Sequence, residues 1–353
     1  MAYGQSRETA AHATELVGTF EHQLRHCRLR DDERLLVVTD TAFHPHYAAA
    51  CLGAGLRLGA DAVELVLPHG RRGSEAYLAA AFEPADLIVY STTHALHYAD
   101  AMRRALADGK RALMAVTALH VLERRIADPD VIARTKRGAA MIDRARTIRI
   151  TSEAGTDLTF DKGDRPGVAS YGVADEPGHL DFWGAGFFQT AAIEGTAEGR
   201  LVLDVGDQIF HFGRFVERPV TIEFCNGRAV SIDGGADAFL IRSLLASYRD
   251  PNAYLLGHIA CGTDPNARWT AEIEQFPVVG GGGADAEAFY GNVQAEIGSN
   301  NDAMFGGQNA TGAHLGLCSL GCRLELDGRP ILEGGEFIVP ELRADRGSRN
   351  GEE

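Results

Sequence analysis

The chain has 353 residues, 45% of them hydrophobic and 24% charged, enough apolar surface for two cores, which excludes a minimal module stapled by disulfides or a structural metal. Its 34 Lys and Arg stand against 49 Asp and Glu, a net charge of −15. That sign repels phosphate backbones and anionic headgroups, which argues against a nucleic-acid or anionic-membrane partner, and a small molecule is expected.

The opening MAYGQSRETAAHATE is polar and mixed in charge, unlike a secretory signal. No apolar run approaches the roughly 18 to 20 residues of a membrane-spanning helix, and a cytoplasmic location is expected. Residues 7 to 29 place Ala11, Leu16, Val17, Phe20 and Leu24 at helical spacings. LLVVT at 35 to 39 is a short continuous apolar run, as in a buried parallel strand. The rhythm recurs with AVELVLP at 62 to 68, ADLIVYST at 85 to 92 and RALMAV at 111 to 116, each preceded by an Ala- or Leu-rich segment. An α/β domain with an open, largely parallel sheet is therefore expected over 1–146. No glycine-rich phosphate cradle follows any of these strands.

From about 147 the chain turns to Gly and β-branched residues: TIRITSEAGTDLTF, LVLDVGD at 201 to 207, PVTIEF at 219 to 224 and RAVSIDGG at 228 to 235. These predict antiparallel strands joined by turns such as Asn226-Gly227, interrupted by one helix near Ala236 to Ser247. An α+β domain with mostly antiparallel strands is expected over 147–342, followed by a charged, disordered tail over 343–353. GGGG at 280 to 283 reads as a mobile loop, with a tight backbone turn as the alternative. Six scattered cysteines form no CxxC pair, and Cys318 and Cys322 read as reduced packing residues.

Of thirteen histidines, most read as solvated or packed side chains, among them His12, His22, His26, His44, His46, His69, His120 and His211. His258, in LLGHIACGTDPNARW, and His314, in GGQNATGAHLGLC, differ in lying within strand-like segments beside Gly-rich turns. Imidazoles from neighbouring strands can converge on a borderline metal such as iron(II) or zinc; two core histidines are the alternative.

YGVADEPGHLDFWGAGFF at 171 to 188, EGTAEGRLVLDVGD at 194 to 207, GHIACGTDPNARWT at 257 to 270, AFYGNVQAEIGSN at 288 to 300 and GAHLGLCSLGCRLELDGRPILEGGEFIVPE at 312 to 341 together resemble the 2,5-dihydroxypyridine 5,6-dioxygenase family, which is grouped with the aminopeptidase T type metallopeptidases. The resemblance implies one Fe(II) held by two histidines and an aspartate, with a small hydroxylated aromatic or N-heterocyclic (pyridine-like) acid and O2 as reactants, and a homo-oligomeric assembly. His258 and His314 fall on the family's two histidines. The second histidine's motif is His-Leu-Asp, whereas this chain reads His314-Leu315-Gly316, so the carboxylate is missing from its expected place.

Three repairs of that vacancy are open: another protein group, an exogenous anion, or a carboxylate or chelating oxygen of the substrate. In VQAEIG, Gln294 and Glu296 share a strand face; Glu296 is a candidate ligand, and Gln294 falls where the aminopeptidase branch has a metal-binding histidine. Substrate or Glu296 is favoured over halide, and Gly316→Asp is expected to tighten metal binding. The resemblance also places His97, in STTHALHYAD after the ADLIVY strand, near a catalytic acid or base, with His94 as the alternative across a one-residue gap. ADEPGHLDFW offers Glu176, His179 and Trp183 to hold a flat heterocycle, with a surface loop as the alternative. Arg268 could pair with a substrate carboxylate or sit in an internal salt bridge. Gln294 completes the expected substrate contacts. The expected activity is a ring-cleaving oxygenase; a metal-dependent hydrolase of the aminopeptidase type and a repurposed scaffold that has lost iron chemistry are the alternatives.

Overall fold

The computed structural model describes residues 15–69, 73–270, 284–301 and 304–344. The glycine run at 280 to 283 lies outside these residues, as does the tail from 345. Arg343 and Ala344 are held by hydrogen bonds to Phe337 and Ile338 carbonyls and to the Tyr290 hydroxyl. The described residues pack into two compact units, one within 15–128 and 171–185, the other within 129–170, 186–270 and 284–344. Packing therefore does not follow a single boundary near residue 146.

In the first unit a helix over 15–26 (α1) precedes β1 (Arg34–Asp40), α2 (Pro45–Arg57), β2 (Asp61–Leu67), α3 (Glu75–Phe82), β3 (Leu87–Ser91), α4 (Asp100–Ala107), β4 (Arg111–Met114) and α5 (Leu119–Arg124). The apolar runs become a sheet of order β2-β1-β3-β4-β8, every pair parallel. Its last strand, β8 (Leu180–Phe182), returns from much later in the chain. α2 lies so close to β1 that a Cβ on Gly55 would come within 2.4 Å of Leu35 Cδ2. At the carboxyl end of β1, Asp40 accepts from the backbone N–H groups of Ala42 and Phe43 and from both N–H and hydroxyl of Thr93. That ties the loop after β1 to the loop after β3, where ligands collect in parallel sheets.

The second unit begins with α6 (Pro129–Arg144), β5 (Thr147–Thr151), β6 (Asp157–Asp161) and β7 (Val168–Ser170). It continues with β9 (Phe187–Ala191), β10 (Glu198–Leu203), β11 (Gln208–Ile209), β12 (Arg214–Phe215), β13 (Val220–Cys225), β14 (Arg228–Asp233) and α7 (Gly235–Ser247). β15 (Leu256–Gly262), α8 (Ala284–Ala288), β16 (Val293–Gly298), β17 (His314–Ser319), β18 (Arg323–Leu326), β19 (Arg329–Glu333) and β20 (Glu336–Phe337) complete it. Two antiparallel sheets result, ordered β14-β13-β10-β6-β5-β18-β19-β20 and β12-β11-β17-β16-β15-β9-β7. Asn226 and Gly227 turn β13 into β14 with φ of 50° and 76°, the left-handed pair a tight hairpin requires.

One core draws on both sheets. From the second it takes Phe188, Ile209, Ile259, Cys261, Val293, Ala295, Ile297, Leu315 and Leu317. Side chains alternate across a sheet, so the intervening residues share its opposite face. Among the described residues no helix is long and apolar enough to cross a membrane.

Candidate metal centre

That opposite face carries the candidate donors. Across β15, β16 and β17, His258 is directly paired with Glu296 and Glu296 with Gly316; His314 pairs with Gly298, one step along the same face. Direct and diagonal neighbours on one face of an antiparallel sheet are within side-chain reach. One ligand atom from each of His258, Glu296 and His314 lies within 4.8 Å of the others. The imidazole centroids are 5.5 Å apart at 35°, and His314 Nε2 is 3.7 Å from Glu296 Oε2, beyond hydrogen-bond distance.

His258 and Glu296 are 4% and 3% exposed. His258 Nδ1 and Glu296 Oε2 are buried with no hydrogen-bond partner among the described residues. Burial holds the His258 imidazole well below its ordinary range, aided by His314. His314 is brought down to about 4 by burial and by His211, and Glu296 is pushed well up by burial and by Glu287. Neutral imidazoles are the ligating form, and a carboxylate among them supplies the anionic oxygen that a dication prefers. Two imidazoles and one carboxylate, two of them carrying a buried atom without a hydrogen-bond partner among the described residues, fit a transition-metal dication.

Gly316 leaves no open space at its position. An ideal Cβ there would lie 2.8 and 3.1 Å from the two carboxylate oxygens of Glu296 and 2.5 Å from Phe210 Cδ2. The expectation that Gly316→Asp tightens binding is thus corrected, because the space it needs is already filled by a carboxylate.

Three surrounding residues escape a linear reading. The Phe305 ring lies 4.5 Å from that of His258 at 31°. Phe210 abuts Gly316, and His211, set aside in the sequence, acts electrostatically on His314. The turn after β11 and the loop between β16 and β17 bring these segments to the donors; a short FHF string carries no such signal. Gln294 occupies the next row of the same face, paired with Ala260 and Cys318, and its Oε1 accepts from the Cys318 thiol. Cys318 in turn pairs with Gln208, whose Nε2 is buried without a partner among the described residues. All six cysteines are free. Arg268, six residues beyond β15, is exposed, and its backbone N–H donates to Asp285.

The remaining candidates belong to the first unit. His97 is 4% exposed, sits in a short turn of helix after β3, and has Nδ1 3.1 Å from the Tyr90 hydroxyl; its ring packs edge-on against Phe182 at 5.5 Å. His94 Nε2 is buried with no hydrogen-bond partner among the described residues. His179 lies in a cluster: Nδ1 is 3.1 Å from the Tyr171 hydroxyl, which donates to Asp175, and Nε2 is 3.4 Å from Asp181. Burial raises the Asp181 carboxyl to about 6, opposed by His179 and backbone N–H groups. Glu176 is exposed, its carbonyl accepting from the His179 N–H. Trp183 is 1% exposed and packs edge to face on Phe20 at 4.9 Å, a core position rather than the substrate contact expected.

Comparison with known proteins agrees with this architecture. The family model for 2,5-dihydroxypyridine 5,6-dioxygenase matches residues 15–339. The 2,5-dihydroxypyridine 5,6-dioxygenase of Pseudomonas putida KT2440 is 33% identical over 344 residues, covering 93% of this chain and 97% of that protein. The solved structure of the dioxygenase from the same organism superposes with a TM-score of 0.86 at 31% identity, covering 94% and 99% of the two chains. AmpT from Thermus thermophilus shares the fold, with a TM-score of 0.61 at 13% identity over 92% and 99%.

Proposed function

The chain belongs to the 2,5-dihydroxypyridine 5,6-dioxygenase family, and from that membership we propose that it is an Fe(II)-dependent oxygenase opening the ring of a small hydroxylated pyridine, of the 2,5-dihydroxypyridine class, with O2. The observation that carries the metal assignment is the convergence of His258, Glu296 and His314, with two buried donor atoms otherwise unsatisfied. Two imidazoles and one carboxylate are the donor set of non-haem iron(II) oxygenases.

When bound, iron(II) supplies the one-electron chemistry that O2 needs to react with a closed-shell ring. His258 and His314 give neutral nitrogens, and the Glu296 carboxylate reduces the charge of the dication by one. The Phe305 ring lies against His258 and Phe210 against Gly316, beside the donors. Gln294, one row from Glu296, offers an amide to a polar substituent of the heterocycle. Tyr90 holds His97 Nδ1, which orients Nε2 to take the proton of a ring hydroxyl near neutral pH. His179 is engaged within its own cluster and shapes the loop that bears Glu176. We place the protein in the cytoplasm as a homo-oligomer.

The test is O2 uptake by protein prepared without oxygen and loaded with one equivalent of iron(II), with 2,5-dihydroxypyridine added. O2 consumption matched to loss of the pyridine absorbance, abolished by a chelator, is the expected result. Iron-loaded protein that consumes no O2 across a panel of hydroxypyridines and hydroxybenzoates overturns the proposal.

A further inference from the structure

Glycine in the interior of a strand weakens it and needs a reason. Gly316 lies inside β17 between Leu315 and Leu317, both wholly buried in the core. Its backbone is not left-handed, unlike that of Gly298 on the neighbouring strand, so conformational freedom does not account for it. Space does. Gly316 is the direct cross-strand partner of Glu296, and the Glu296 carboxylate occupies the volume a side chain at 316 would take, with both oxygens within 3.1 Å of the ideal Cβ. Phe210 closes the other side at 2.5 Å. It follows directly on Ile209, which pairs with Leu317 in the sheet, so a side chain at 316 would have to displace the Phe210 ring as well as the Glu296 carboxylate.

We propose that positions 296 and 316 form an exclusive pair, in which glycine on β17 is what lets β16 supply the acid of a divalent transition-metal site. A carboxylate can stand on one of the two facing strands, but not on both. Glu296 is here the donor and Gly316 a positioning residue that acts through it. This rests on the assignment of His258, Glu296 and His314 as metal donors.

Two readouts separate the pairing from that assignment. In metal-free protein, thermal unfolding of wild type, Gly316→Ala, Gly316→Asp, Glu296→Ala and Glu296→Ala/Gly316→Asp forms a mutant cycle. Gly316→Ala and Gly316→Asp are expected to lower the unfolding temperature, and adding Glu296→Ala to Gly316→Asp to restore most of the loss. Co(II) titration without oxygen, followed by ligand-field absorption and calorimetry, then reads the donors. Gly316→Ala, Gly316→Asp and Glu296→Ala should each weaken Co(II) by about 10-fold or more, and the double variant should return to within about 10-fold of wild type.

The pairing is overturned if Gly316→Ala and Gly316→Asp leave both unfolding temperature and Co(II) affinity unchanged, or if the double variant binds no better than Glu296→Ala. Absence of Co(II) binding by wild type overturns the donor assignment instead, and the metal-free cycle still decides whether 296 and 316 exclude each other.

Discussion

A buried polar atom without a partner costs about 1–3 kcal/mol, and the row that holds His258 Nδ1 and Glu296 Oε2 contains two. Such a cost is kept in a folded protein where a ligand relieves it, and a dication between two neutral imidazoles and a carboxylate does so. Removing either imidazole leaves two donors. His258→Ala and His314→Ala are each expected to weaken iron(II) by more than about 100-fold, measured as metal retained after desalting; retention of a full equivalent by either would contradict the assignment. His97 stands apart from the donors in role. His97→Ala should keep its iron while ring opening slows by about 100-fold or more. Tyr90→Phe, which removes the group facing Nδ1, should displace the pH profile of kcat/KM without changing metal content. An unaltered profile would remove Tyr90 from the account.

At the scale of the element, the second sheet works by alternation: Ile259, Ala295, Ile297, Leu315 and Leu317 go to the core, and His258, Gln294, Glu296, His314 and Cys318 share the other face. A one-residue slip of β16 would exchange the two sets. Ile297→Ala, at a fully buried position, should cost about 2–5 kcal/mol in chemical denaturation. The loop that carries Phe305 to His258 is anchored by Glu194, which accepts from Asn300, from the backbone N–H of Gln308 and from Arg165. Those hydrogen bonds outweigh its burial and hold the carboxyl at about 2. A depressed carboxyl stabilises the fold above its unfolded value of about 4.3, and that contribution fades as pH falls through about 4 toward 2. Glu194→Gln should therefore cost about 1–2 kcal/mol at neutral pH after screening by solvent, and the gap to wild type should close with acidification. A gap independent of pH would show that the charge of Glu194 is not what anchors the loop.

Strand existence was legible where apolar runs were long, as in β1, β3 and β15, and so was the shared face of Gln294 and Glu296. β8 was not, because Leu180–Phe182 is three residues long and its place is set by pairing with Ala112–Met114. The relation of Glu296 to Gly316 was hidden for a similar reason: the motif shows a missing acid at 316, while only the register of β16 against β17 shows another acid filling that volume.

The whole molecule divides the expected work between its two units, each with its own core. Parallel strands bring His94 and His97 to the carboxyl end of β3 in one, and antiparallel strands bring the donors together in the other. Metal bound by the second unit should stabilise the fold. At 100-fold excess over its dissociation constant, a ligand that binds only the folded state adds about 2.7 kcal/mol. Calorimetric unfolding with iron(II) should show that rise in wild type and none in His258→Ala. An equal rise in both would contradict the donor assignment.

The central claim is a single ion between three named side chains. Crystals grown without oxygen in the presence of iron(II), with diffraction recorded on both sides of the iron absorption edge, test it most directly. One anomalous peak bounded by His258, Glu296 and His314 is the expected result; a peak elsewhere, or a fully iron-loaded protein with no density between those side chains, contradicts it.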